Sequence, residues 1–155
     1  MGIRNILIDT NAYVAFKQRQ SDAVEIIMHV PVIGISSIVL GELFAGFAVG
    51  NREKINTGEL RDFLSSERIR LFSADADTAR FYGTVYRNLK HKGRPVPTND
   101  MWIAAIAIQH HLSVFSYDRH SQKIKYPECR VGSASLAPIL HFWDWVYYLF
   151  GVPLP

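Results

Sequence analysis

The feature that most constrains this chain is a set of short, wholly apolar runs separated by longer helical stretches. "IRNILID" places Ile6, Leu7 and Ile8 together before Asp9 ends the run. A brief continuous apolar run closed by a polar residue suits a strand buried on both faces, as in a parallel sheet. The same reading applies to "PVIGIS", "RIRLF" and "LSVFSYD", and "CRVGS" adds a possible fifth strand. Between them, "TNAYVAFKQ" and "SDAVEIIMHV" read as helices opened by Thr10 and Ser21 as caps, and "SSIVLGELFAGFAVG" as an apolar helix stopping near Gly50. Residues 51–65 read as a surface helix, "ADADTARFYGTVYRNLKHKG" as an amphipathic helix ending at Gly93, and "PTNDMWIAAIAIQ" as a buried one. Alternating strands and helices predict an α/β three-layer sandwich with a central, mostly parallel sheet of four to five strands.

Length permits one domain with an unstapled core: 155 residues suffice. The sole cysteine, Cys129, cannot build an internal disulfide framework and points to a reducing, cytoplasmic setting. No signal peptide is evident, because Asp9 interrupts the early apolar run. A net charge of +3 is compatible with a polyanionic partner without requiring one. Residues 1–136 are assigned to the domain and 137–155 to an aromatic C-terminal segment, expected as a helix on the domain or at an interface. Its charges and prolines, with an apolar stretch shorter than the ~17 residues of a span, argue against a membrane helix.

Open parallel sheets build their sites at the carboxyl ends of the strands. Asp9 ends the first strand and Asp118 the fourth, so distant segments deliver acids to one edge. Glu42 is the only charge between Ser37 and Gly50, with Ile38, Val39, Ala45 and Gly46 as helical neighbours, and its face is expected to be buried. Asp100 lies above Ile103, Ala104 and Ala107. Singly, each acid has an ordinary explanation: a cap for Asp100, an Arg partner for Glu42, a turn or a cap for Asp9 and turn chemistry for Asp118. Together they would repel, and no Lys or Arg in the surrounding segments offsets Asp9, Glu42 or Asp100. A hard divalent cation, Mg²⁺ or Mn²⁺, suits such an oxygen-only set. Cys129 and the six histidines offer no zinc pattern.

"ILIDTNAYVAF", "SSIVLGELFAG", "PTNDMWIAAIAI" and "VFSYDRH" resemble, in order, the four acidic motifs of the PIN-domain ribonucleases, and especially the VapC-type toxins of toxin–antitoxin pairs. The resemblance runs from about Ile6 to about His120. It implies a Mg²⁺- or Mn²⁺-dependent endoribonuclease, commonly a homodimer, silenced by a small antitoxin that blocks its groove. Carried over by position, the metal-binding and catalytic acids are Asp9, Glu42, Asp100 and Asp118, with Ser116 and Thr10 in support. The sequence departs after Asp118, where "RHSQK" puts Ser121 in place of an expected Phe.

Arg87, Lys90, Lys92 and Arg94 precede the Asp100 motif and are candidates for gripping RNA phosphates; the alternative is complementing a helix C-terminus. An aspartyl-phosphate phosphatase would want a second acid where Asn11 stands, and a receiver-like domain also leaves Glu42 idle. A catalytically silent RNA- or protein-binding scaffold is the remaining alternative.

Overall fold

The computed structural model describes residues 5–91 and 96–117, with the backbone of 130–131 and 134–135. Strands β1 (Ile6–Ile8), β2 (Ile33–Ser36), β3 (Ile69–Phe72) and β4 (Ser113–Phe115) form one sheet in the order β3-β2-β1-β4. Every pairing in it is parallel, with Ile6 opposite both Ile33 and Ser113. All residues of β1 and β2 are buried, so helices cover both faces and the three-layer expectation holds. The edge strand β3 instead exposes Arg70 and Leu71, as an edge can.

β5 (Arg130–Val131) exists where "CRVGS" predicted a strand, but it does not extend the main sheet. It pairs antiparallel with β6 (Ala134–Ser135) as a separate two-stranded ribbon.

Six helices are described: α1 (Thr10–Lys17), α2 (Ser21–His29), α3 (Ser37–Val49), α4 (Glu53–Leu64), α5 (Ala76–His91) and α6 (Thr98–Gln109). Their caps differ from expectation. Thr10 and Ser21 are the first helical residues, not caps; Asp9 caps α1 and Gln20 precedes α2 without a side-chain bond. Asp9 wins because its carboxylate accepts the Thr10 N–H at 2.7 Å. Arg68 closes α2 from the next layer, donating through Nη1 to the carbonyls of Ile27 and Val30 at 2.8 Å each. A cation there also opposes the negative end of the helix dipole.

α1 and α6 finish alike. Arg19 and His111 adopt left-handed backbone, φ 58° and 54°, at the position after each C-cap. The Gln20 N–H then reaches the Ala15 carbonyl at 3.0 Å, and the Leu112 N–H reaches Ala107 at 2.9 Å. These are Schellman closures, usually made with glycine.

α3 is apolar almost all round, yet only Val39 and Leu43 are buried, while Phe44 and Val49 are exposed. α5 and α6 pack through stacked Tyr82 and Trp102 rings, centroids 4.3 Å apart. Phe115 is wholly buried and anchors β4, so its truncation to alanine costs about 3–5 kcal/mol. Residues 92–95 and 118–129, and the aromatic segment 137–155, lie outside the described residues. No described helix is long and apolar enough to cross a membrane.

Candidate active site

Asp9 is the residue at which β1 becomes α1. Its backbone N–H still follows the sheet, donating to the Phe115 carbonyl of β4 at 2.9 Å. Its side chain is fixed from two sides: one carboxylate oxygen accepts the Thr10 N–H and the other accepts the Ser116 hydroxyl at 2.8 Å. Ser116 is buried just beyond β4, its hydroxyl oxygen lies 3.3 Å from the Asn11 side-chain oxygen, and Asn11 accepts from the Tyr117 N–H at 2.9 Å. The β1 and β4 exits are therefore laced together by side chains 105 to 107 positions apart.

Glu42 projects from α3, one turn past its start. Thr10 donates its hydroxyl to one Glu42 oxygen, and Asn99 donates its amide to the other at 2.7 Å. The expectation of a fully buried face is corrected: Val39 is buried beneath it, but Ala45 and Gly46 are exposed and Glu42 is half-buried. The described partners of this carboxylate are neutral donors rather than an arginine. Asn99 was not identified from sequence as functional, although its place beside Asp100 in "TND" was the available signal.

Asp100 is the third residue of α6, half-buried over Ile103, Ala104 and Ala107, all buried. Pro97 holds the N-cap position, so neither Asp100 nor its neighbours Thr98 and Asn99 caps the helix. Being in the first turn, the Asp100 carboxylate gains from the positive helix end.

Asp9, Glu42 and Asp100 line one open cleft of about 610 Å³, with Thr10, Asn11 and Tyr117, and further along α1 Val14, Ala15, Gln18 and Gln20. Among the described residues no lysine or arginine lines it. Burial, and then the charge of Asp22, pushes the Tyr117 hydroxyl above its ordinary pKa. That hydroxyl is buried with no hydrogen-bond partner among the described residues. Asp118, Lys92 and Arg94 lie outside the described residues; Arg87 and Lys90 are exposed on α5.

The donor set is oxygen only, the chemistry of Mg²⁺ or Mn²⁺. Among the described residues no three His, Cys, Asp or Glu side chains are close enough together to hold an ion. Mg²⁺ commonly takes only one or two carboxylates and keeps several waters, so an open cleft with separated acids fits it.

The PIN domain family matches residues 6–125. Ribonuclease VapC2 of Rickettsia felis is 32% identical over 106 residues, covering 66% of this chain and 78% of its own. Ribonuclease VapC5 of Mycobacterium tuberculosis is 29% identical over 113 residues, covering 72% and 82%. The solved structure of Rickettsia felis VapBC2 bound to a promoter DNA fragment superposes with a TM-score of 0.69 at 27% identity, covering 77% of this chain and 92% of that one. DNA-bound VapBC of Salmonella typhimurium gives 0.63 at 27% identity, covering 73% and 85%. With three acidic segments meeting at the carboxyl edge of a parallel sheet and these likenesses spanning the same residues, the chain belongs to the PIN domain family, in its VapC-type branch.

Proposed function

We propose that the chain is an endoribonuclease, the toxin of a type II toxin–antitoxin pair, hydrolysing RNA phosphodiester bonds at the cleft over the β1 and β4 ends. One observation carries the reading: Asp9, Glu42 and Asp100, from three separate segments, line one cleft with no lysine or arginine among the described residues around it. The relatives' names as ribonucleases and the VapBC complexes support RNA as substrate and a small antitoxin as partner.

Asp9 and Asp100 are the residues we assign to holding Mg²⁺ or Mn²⁺, with Glu42 and Asp118 completing the set. When bound, the cation makes its water more acidic and neutralises charge on the scissile phosphate. The protein's own part is orientation. Ser116 and the Thr10 N–H fix Asp9, and Thr10 with Asn99 fixes Glu42, so each carboxylate is aimed before substrate arrives. In-line attack by water leaves a 5′-phosphate and a 3′-hydroxyl. Arg87 and Lys90, exposed on α5, together with Lys92 and Arg94, are assigned to flanking phosphates. A homodimer acting on cytoplasmic RNA completes the proposal.

The test is to incubate purified protein with total cellular RNA and Mn²⁺, with and without EDTA, and map the fragment ends. Metal-dependent fragments with 5′-phosphates are expected. Cyclic 2′,3′-phosphate ends would refute the mechanism, and uncut RNA would leave a scaffold.

A further inference from the structure

We infer that the far end of the cleft is a nucleobase subsite, built by Gln18, Gln20 and Val14, that selects the RNA sequence cut at the carboxylate end. The inference rests on the ribonuclease reading and adds a specificity site to it.

The cleft has two chemically different ends. Asp9, Glu42 and Asp100 make one end anionic, whereas Gln18, Gln20, Val14 and Ala15 make the other neutral. α1 runs between them. Nine helical steps from Asp9 to Gln18 span about 13 Å at about 1.5 Å each. A strand with its scissile phosphate at the acids therefore lays a neighbouring nucleotide, not the reacting one, beside the glutamines.

The neutral end is shaped for a base edge. Gln20 Nε2 donates to Gln18 Oε1 at 3.4 Å, so the two amides lie side by side. This leaves the Gln18 amide N–H groups to donate and the Gln20 carbonyl oxygen to accept. Paired donor and acceptor groups are what the polar edge of an unpaired base requires, and glutamine is a common reader of such edges. Val14 is 40% exposed in the same wall and gives the ring an apolar surface. A phosphate subsite would call for a cation, and among the described residues no lysine or arginine lines the cleft.

The backbone holds this pair in place. Arg19, between the two glutamines, sits at φ 58°, a conformation unusual for a residue with a Cβ. The turn is secured by the N–H groups of Arg19 and Gln20, bonded to Phe16 and Ala15 at 2.9 and 3.0 Å. Through it, the residues before and after Arg19 present side chains to one cleft.

The experiment titrates the full chain with the four nucleoside 5′-monophosphates and with ribose 5-phosphate, following backbone amide shifts by NMR. At least one nucleotide is expected to shift Val14, Gln18 and Gln20 and to bind at least about tenfold more tightly than ribose 5-phosphate. The doubly substituted Gln18→Ala, Gln20→Ala chain should lose that preference while keeping its melting temperature, since both side chains are exposed. Equal binding of ribose 5-phosphate, or an undiminished preference in the double variant, overturns the subsite. Mapped RNA ends supply the second readout: the double variant should raise KM and flatten base preference at one flanking position, with kcat nearly unchanged. Cleavage with an unaltered preference overturns the subsite and leaves the nuclease intact. RNA left uncut by the unsubstituted protein overturns the nuclease reading, while the nucleotide titration still decides the subsite.

Discussion

The two ends of α6 are tied down by the same three kinds of side chain, with different results. At its start, Asn99 and the Thr10 hydroxyl both donate to Glu42. At its end, Gln109 and the Thr78 hydroxyl both donate to Asp75. Asp75 also takes the Thr78 N–H at 2.8 Å, and the Thr78 hydroxyl reaches the Gln109 carbonyl oxygen as well. That arrangement closes on itself: Thr78 is wholly buried, and it fastens α5 to α6. Its counterpart at the start of α6 opens onto a cleft with two further carboxylates. An amide, a hydroxyl and a carboxylate make a clamp at one end of the helix, and at the other a carboxylate held in the space that two further acids face.

Five substitutions would break or sharpen this contrast. The largest effect belongs to Asp9→Asn, expected to reduce RNA cleavage by about a thousandfold or more, since it removes a charge that the proposed mechanism assigns to a cation worth several kcal/mol to the transition state. Circular dichroism should show the fold retained, and an active Asp9→Asn protein would dismiss the carboxylate mechanism. Asn99→Ala comes next. Losing one of the donors that aim Glu42 should weaken metal affinity or activity by about 10–100-fold, read as a higher Mn²⁺ concentration for half-maximal cleavage.

At the other end of α6, Thr78→Val should cost about 1 kcal/mol in urea unfolding, because the buried Thr78 hydroxyl that ties Asp75 to Gln109 is lost, with cleavage unchanged. The acid there has a pH signature. The Thr78 N–H first, then the Thr78 hydroxyl and the Gln109 amide, hold the Asp75 carboxyl below its ordinary pKa. Its stabilisation is therefore full at neutral pH and is lost as pH falls from the ordinary aspartate value through the lower folded one. Melting curves of the unsubstituted chain and Asp75→Asn should differ at neutral pH and converge in acid. The smallest effect is Arg19→Gly, which relieves left-handed backbone and should stabilise by about 0.5–1 kcal/mol, net of glycine's entropy cost.

The acids were legible in the sequence because each breaks an apolar pattern: Asp9 after "ILI", Glu42 within α3, Asp100 before "IAAIAI". The strands were legible for the same reason, since buried parallel strands show as uninterrupted apolar runs. Partners were not. That Asn99 turns to Glu42, or that Asn11 takes the Tyr117 N–H, depends on how segments 57 and 106 residues apart are stacked, which no local pattern encodes. The caps misled because Asp9 serves two ends at once, finishing a strand and starting a helix. Exposure on α3 was misread because composition reports apolarity without saying what covers it. For β5, a two-residue strand carries too little pattern to reveal which sheet it joins.

The lacing of β1 to β4 has a consequence for the making of the protein. Asp9 leaves the ribosome early, but the hydroxyl that orients it follows 107 positions later. At roughly 5–20 residues per second, that interval is roughly 5–20 s of translation. Until it has passed, the emerging chain carries its first acid without the strand and the hydroxyl that aim it.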